Sequence, residues 1–171
     1  HLLTVLYCLA SLGLLATFSA LSHATTMAGT PAFITDLIHM SSASLWVGAI
    51  TFSVLDKAWK KPAFEITIKR VSNLALLCVV LLVGTGIYVA TVHIKTFDAL
   101  FSTAYGRVLL MKLAVFSVTL ILAASNRWYF MPQLLGRKNA FQKVLVFEVF
   151  LLVTVLVITG LLTTSPLPHE M

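Results

Sequence analysis

The stretch Val71-Ser-Asn-Leu-Ala-Leu-Leu-Cys-Val-Val-Leu-Leu-Val-Gly-Thr-Gly-Ile-Tyr-Val-Ala-Thr-Val92 carries no charged side chain. Wound as an α-helix with a rise of 1.5 Å per residue it is about 33 Å long, enough to cross the roughly 30 Å hydrocarbon core of a bilayer. A buried helix of a water-soluble domain has no need of so long an uncharged run. Four further stretches meet or approach the same length: Leu2–Ser22, Phe33–Leu55, Val108–Ser125 and Val144–Ser165. The expected fold class is therefore all-α, a polytopic bundle of about five antiparallel transmembrane helices forming one domain over residues 1–171. The short linkers make consecutive helices neighbours.

Composition supports this reading. Apolar residues make up 59% of the chain and charged residues only 11%, too few to clothe a water-soluble domain of 171 residues. The net charge of +6 does not point to nucleic acid, because the basic residues lie in short segments between apolar runs. Lys57, Lys60, Lys61, Lys69, Arg70, Arg127, Arg137, Lys138 and Lys143 are nine of the twelve, and all fall on one side of the expected bundle. The positive-inside rule assigns segments 56–70 and 127–143 to the cytoplasm and segments 24–32 and 93–106 to the periplasm of a bacterial inner membrane. The first apolar run has neither a basic leader nor a cleavage pattern, and is read as a span rather than a signal peptide.

The outward side has a different inventory: His23, Met27, His93, Asp98, His169, Glu170 and Met171, with His39 and Met40 a short way into the second span. In that span Asp36, His39, Ala43 and Trp46 share one helical stripe. Ionisable groups inside a membrane are costly and face the bundle or a wet cavity, which marks His39 as a candidate functional residue. His23 closes the first span at nearly the same height. Two imidazoles with the Met27 and Met40 thioethers nearby form a mixed nitrogen and sulfur set that suits copper, Cu(I) above all. The competing readings are an interfacial histidine and packing methionines. His93 ends the third span and either adds a ligand or snorkels to the headgroups.

Other polar residues read as structural. Asp36 and Lys112 can neutralise each other, and Glu148 can pair with Arg127 or Arg70. Gly84-Thr-Gly86 permits close helix approach. Cys8 and Cys78 lie at comparable depth in the inward halves of their spans, as buried small hydrophobes or soft acceptors. No serine–histidine–acid order, phosphate-cradling loop or HExxH occurs, so no enzymatic activity is expected.

With these residues in view, the chain resembles the bacterial copper-resistance D (CopD) family, with its YcnJ-like copper-uptake proteins. Ser22-His23-Ala24 is similar to the family's Gly-His-Ala, and Leu37-Ile-His39 through Leu45-Trp46-Val-Gly48 to its Leu-His…Leu-Trp-Val-Gly helix. Tyr105-Gly-Arg107 with Leu110-Met-Lys112-Leu, Asn126-Arg127, Pro132, Glu148 and the Thr159-Gly-Leu-Leu close follow in order. The resemblance spans most of 22–168. It departs at Ser22, where the family has glycine, and in lacking the upstream helices that members commonly carry.

The resemblance implies copper, as Cu(I) or Cu(II), taken at the periplasmic face and moved inward, with a CopC-like periplasmic copper protein as donor and membrane lipid as surroundings. His23 and His39 hold the motif positions of metal-contacting residues, and Met27, Met40 and His93 complete the candidate set. Two alternatives stand beside it: a membrane electron-transfer cytochrome with haem between His39 and His93, and a metal-free membrane anchor for a periplasmic partner.

Overall fold

The computed structural model describes residues 2–55, 64–94 and 97–164; the side chains of His23, Ala24, Thr26, Met27, residues 134–138 and Thr164 lie outside the described set. Its elements are α1 (Leu2–Ala20), α2 (His23–Leu55), α3 (Phe64–His93), a single turn α4 (Ala99–Ser102), α5 (Ala104–Ser125) and α6 (Leu134–Thr164). Five helical segments are long and apolar enough to cross a membrane: Leu2–Ala20, Ala28–Leu55, Phe64–His93, Ala104–Gln133 and Asn139–Thr163. Among the described residues there is no strand. The expected five-helix membrane architecture is the observed one.

The helices extend beyond the expected boundaries. α3 begins at Phe64 instead of Val71, and α6 at Leu134 instead of Val144. Hydropathy marks where a helix crosses hydrocarbon, whereas the backbone ladder continues into the headgroup layer, some 40–45 Å in all. A 30-residue helix such as α3 is about 45 Å long.

The largest correction concerns 24–32, expected as a loop. The chain turns within Leu21–Ser22 and α2 starts at His23. The Ser22 hydroxyl accepts the Thr25 amide at 3.4 Å, which satisfies one of the open N–H groups of the helix start. The departure of Ser22 from the family glycine thus supplies a helix cap. Thr25 in turn donates to the Ser19 carbonyl at 2.7 Å and ties the start of α2 to the end of α1. The interruption comes later, at Gly29, whose φ of 66° and ψ of −147° suit a residue without a Cβ. Pro31 then follows, with no amide to continue the ladder.

Two compact units can be distinguished: His1–Trp46 with Leu76–Lys95, and Val47–Ala75 with Thr96–Met171. In the first, buried Ala32, Ser42 and Trp46 of α2, Ser19 of α1, and Cys78 and Leu82 of α3 form the interior. In the second, α5 and α6 pack together, with Leu109, Thr119, Phe141, Leu145, Leu152 and Ile158 among the buried residues. Gly106 of the Tyr-Gly-Arg motif explains itself here. A Cβ at Gly106 would run into the carbonyl oxygens of Ala99 and Leu100, so only glycine lets α4 fold back on α5. Thr103 caps α5 by accepting the Gly106 amide at 3.0 Å.

Between α5 and α6 the helix widens into a π turn over Asn126–Phe130 and tightens into a 3-10 turn over Met131–Gln133, which contains Pro132. The extra residue in the wide turn rephases the side chains that follow.

Candidate metal centre

His39 lies on α2 and is half-buried. Its Nδ1 stands 2.9 Å from the Thr85 hydroxyl of α3. That hydroxyl has a single proton, and at 2.6 Å it donates to the Leu81 carbonyl one turn back, the usual outlet for a helical threonine in an apolar slab. Thr85 Oγ1 is then the acceptor, and His39 Nδ1–H the donor. The acceptor nitrogen of the neutral ring is therefore Nε2. The ring lies beside Gly86, where a Cβ would meet His39 Cε1 at 3.4 Å, a close van der Waals contact. Of the Gly84-Thr-Gly86 packing motif, Thr85 and Gly86 are next to the imidazole, while a Cβ at Gly84 would meet nothing within 4 Å.

His93 has the same polarity. It is only 6% exposed, and its Nδ1 lies 2.8 Å from the Val89 carbonyl one turn earlier in α3. A carbonyl only accepts, so Nδ1 carries the proton and Nε2 is the acceptor nitrogen of the neutral form. Being buried and held by its own helix, His93 does not snorkel outward. Seven residues separate it from Gly86, about 10 Å along α3 and nearly two full turns, so both fall on one face of the helix. Backbone and hydroxyl acceptors on Nδ1 are the kind of outer-shell support that fixes the tautomer of metal-binding histidines.

Met40 points elsewhere. Its sulfur lies 3.6 Å from the Ser19 hydroxyl of α1, which donates to it. Adjacent positions on α2 thus serve two neighbours, His39 on the α3 side and Met40 on the α1 side. The side chains of His23 and Met27 lie outside the described residues. Among the described residues no three His, Cys, Asp or Glu side chains are grouped so as to hold one ion. Cys8 is exposed on α1 whereas Cys78 is buried on α3, so the two thiols do not share an environment.

The second unit corrects the expected ion pair of Glu148. Its partner is Asn126, whose amide donates to Oε2 at 2.9 Å. Arg127 instead turns to α3, donating to Ser72 Oγ at 2.7 Å and to Asn73 Oδ1 at 2.9 Å. Asn126 and Arg127 are successive helical residues whose side chains point in different directions, one to α6 and the other to α3. Glu148 is 1% exposed, and its Oε1 has no hydrogen bond among the described residues.

Comparison with known proteins adds to this geometry. The copper resistance protein D family matches residues 66–162, a region that includes Thr85, His93, Gly106, Asn126 and Glu148 but begins after His23 and His39. The copper transport protein CutJ of Bacillus subtilis (strain 168) is 33% identical over 147 residues, which cover 82% of this chain and 26% of that protein. The chain thus spans about a quarter of the length of this curated relative. No solved structure matches it. A family match over more than half of the sequence, together with a relative one-third identical along most of it, establishes that the chain belongs to the copper resistance protein D family.

Proposed function

We propose that the chain is the membrane-spanning part of a copper transporter, receiving the ion at its periplasmic end and passing it inward between α2 and α3. The observation that carries this reading is the commitment of His39 Nδ1 to Thr85, which makes Nε2 the ligating nitrogen of a neutral imidazole at membrane depth. His93, about two turns further out on the same face of α3, is the earlier stop. His23 and Met27 are the candidates to complete coordination at the outer end, whereas Met40, turned to Ser19 of α1, stands off the path. Two imidazoles in series suit a path better than a closed storage centre, because transport requires sites that release as readily as they bind.

The orientation follows from the basic segments on the opposite side, and a CopC-like periplasmic copper protein fits as the donor. A haem between His39 and His93 fits less well. Both rings belong to one seam at different heights, and His39 rests directly against Gly86, which leaves no slot for a macrocycle on that side.

Copper titration of the detergent-purified protein against its His39→Ala variant tests the proposal. The expected result is at least tenfold weaker binding of Cu(I) in the variant, the order of magnitude for losing a ligand or its support. Unchanged stoichiometry and affinity would remove His39 from the path.

A further inference from the structure

At the opposite, basic end of the second unit, Lys69 and Asn73 of α3 with Arg127, Trp128 and Met131 line an open cleft of about 340 Å³. The proposed copper path uses none of these residues. Lys69 lies about 8 Å from the start of α3, and Arg127 about 9 Å from Gln133, where the fourth span ends. Both cations therefore lie at the level where phospholipid headgroups meet hydrocarbon. Trp128 is 71% exposed, as is usual for the aromatic belt at that depth, and the half-exposed ring of Tyr129 accompanies it.

The guanidinium of Arg127 is not a loose surface charge. Ser72 Oγ and Asn73 Oδ1 hold it through one N–H on each terminal nitrogen, leaving three of its five donors for a further acceptor. A fixed guanidinium, a lysine and an indole wall around one cleft match a phosphodiester with its glycerol and upper acyl carbons. Arginine forks bind phosphate in this manner, and the indole covers the adjoining apolar chain. Among the described residues no acidic side chain lines the cleft.

We propose that this cleft is a specific site for the phosphate of an anionic phospholipid, seated between Lys69 and Arg127 and covered by Trp128. The lipid, rather than a soluble phosphate, is the occupant because the cleft opens at headgroup depth and one wall is apolar.

Quenching of Trp128 by brominated lipid tests this in reconstituted full-length chain. The Trp128 signal is the difference between the wild type and Trp128→Phe, and brominated phosphatidylglycerol is compared with brominated phosphatidylcholine at equal mole fraction. The proposal expects preferential quenching by phosphatidylglycerol, with the preference reduced about fivefold in Lys69→Ala, the contribution of one basic residue near an anionic surface. Arg127→Lys, which keeps the charge but not the fork, is expected to lose preference as well. Lys143→Ala, which removes an exposed cation outside the cleft, is expected to leave it unchanged. Equal quenching by the two lipids would overturn the site. So would an equal loss in Lys143→Ala, which would show diffuse surface attraction. Displacement of the brominated lipid by millimolar glycerol phosphate would overturn the lipid as occupant.

Discussion

The two units of the molecule handle polar groups in opposite ways. In the first, His39 and His93 give up one ring nitrogen each to a hydroxyl or a carbonyl, so the other nitrogen keeps a lone pair. In the second, Glu148 and Arg127 are engaged by Asn126, Ser72 and Asn73 in contacts that hold the π turn to its neighbouring helices. Polar atoms are expensive inside a membrane in either case. One unit fixes the tautomer of its histidines, which is what the proposed copper path requires, while the other uses its polar atoms to join helices. Substitutions in the second unit should therefore act on stability, and those in the first on copper.

The contrast breaks most visibly at Gly106. Gly106→Ala places a Cβ against two backbone carbonyls that cannot move aside without shifting α4, so a loss of about 3 kcal/mol in stability is expected. Thermal unfolding in detergent measures it, and an unchanged transition would show that α4 is not held against α5. Glu148→Ala comes next, at about 2 kcal/mol, because the buried Asn126 amide loses its acceptor. Glu148→Gln keeps an acceptor oxygen and should recover most of that loss. A greater effect of either change on copper affinity than on unfolding would move Glu148 into the transport chemistry.

Thr85 sharpens the comparison from the other side. Thr85→Val retains the shape but removes the acceptor for His39 Nδ1, so Cu(I) affinity is expected to fall about tenfold, with little change in the unfolding midpoint. Thr85→Ser restores the hydroxyl and should restore affinity. Affinity kept in the valine variant but lost in the serine variant would mean that Thr85 acts through packing alone.

How much of this was legible in the sequence depended on the length scale involved. The five spans were readable because bilayer thickness imposes a fixed run of apolar residues, and Val71–Val92 meets it without a charge. The helix ends were not, because hydropathy does not register backbone that stays helical beyond the hydrocarbon. His39 could be singled out as an ionisable group on a membrane stripe. Thr85 could not, since Thr119, Thr154 and Thr159 share its chemistry and, among the described residues, bond to carbonyls of their own helices. The Asn126–Glu148 contact was hidden for a different reason. It joins two helices across 22 residues of sequence, and nothing in the hydropathy pattern says which residue of α6 meets the end of α5.

Nitrogen-15 NMR of histidine-labelled protein in detergent, before and after one equivalent of Cu(I), reads the protonation of the His39 ring and its response to the metal. His39, assigned by its loss in His39→Gln, is expected to be the Nδ1–H tautomer in the free protein, with an Nε2 resonance that moves on metal addition. A His39 spectrum of the opposite tautomer, or one that copper leaves in place, would contradict the proposed copper path.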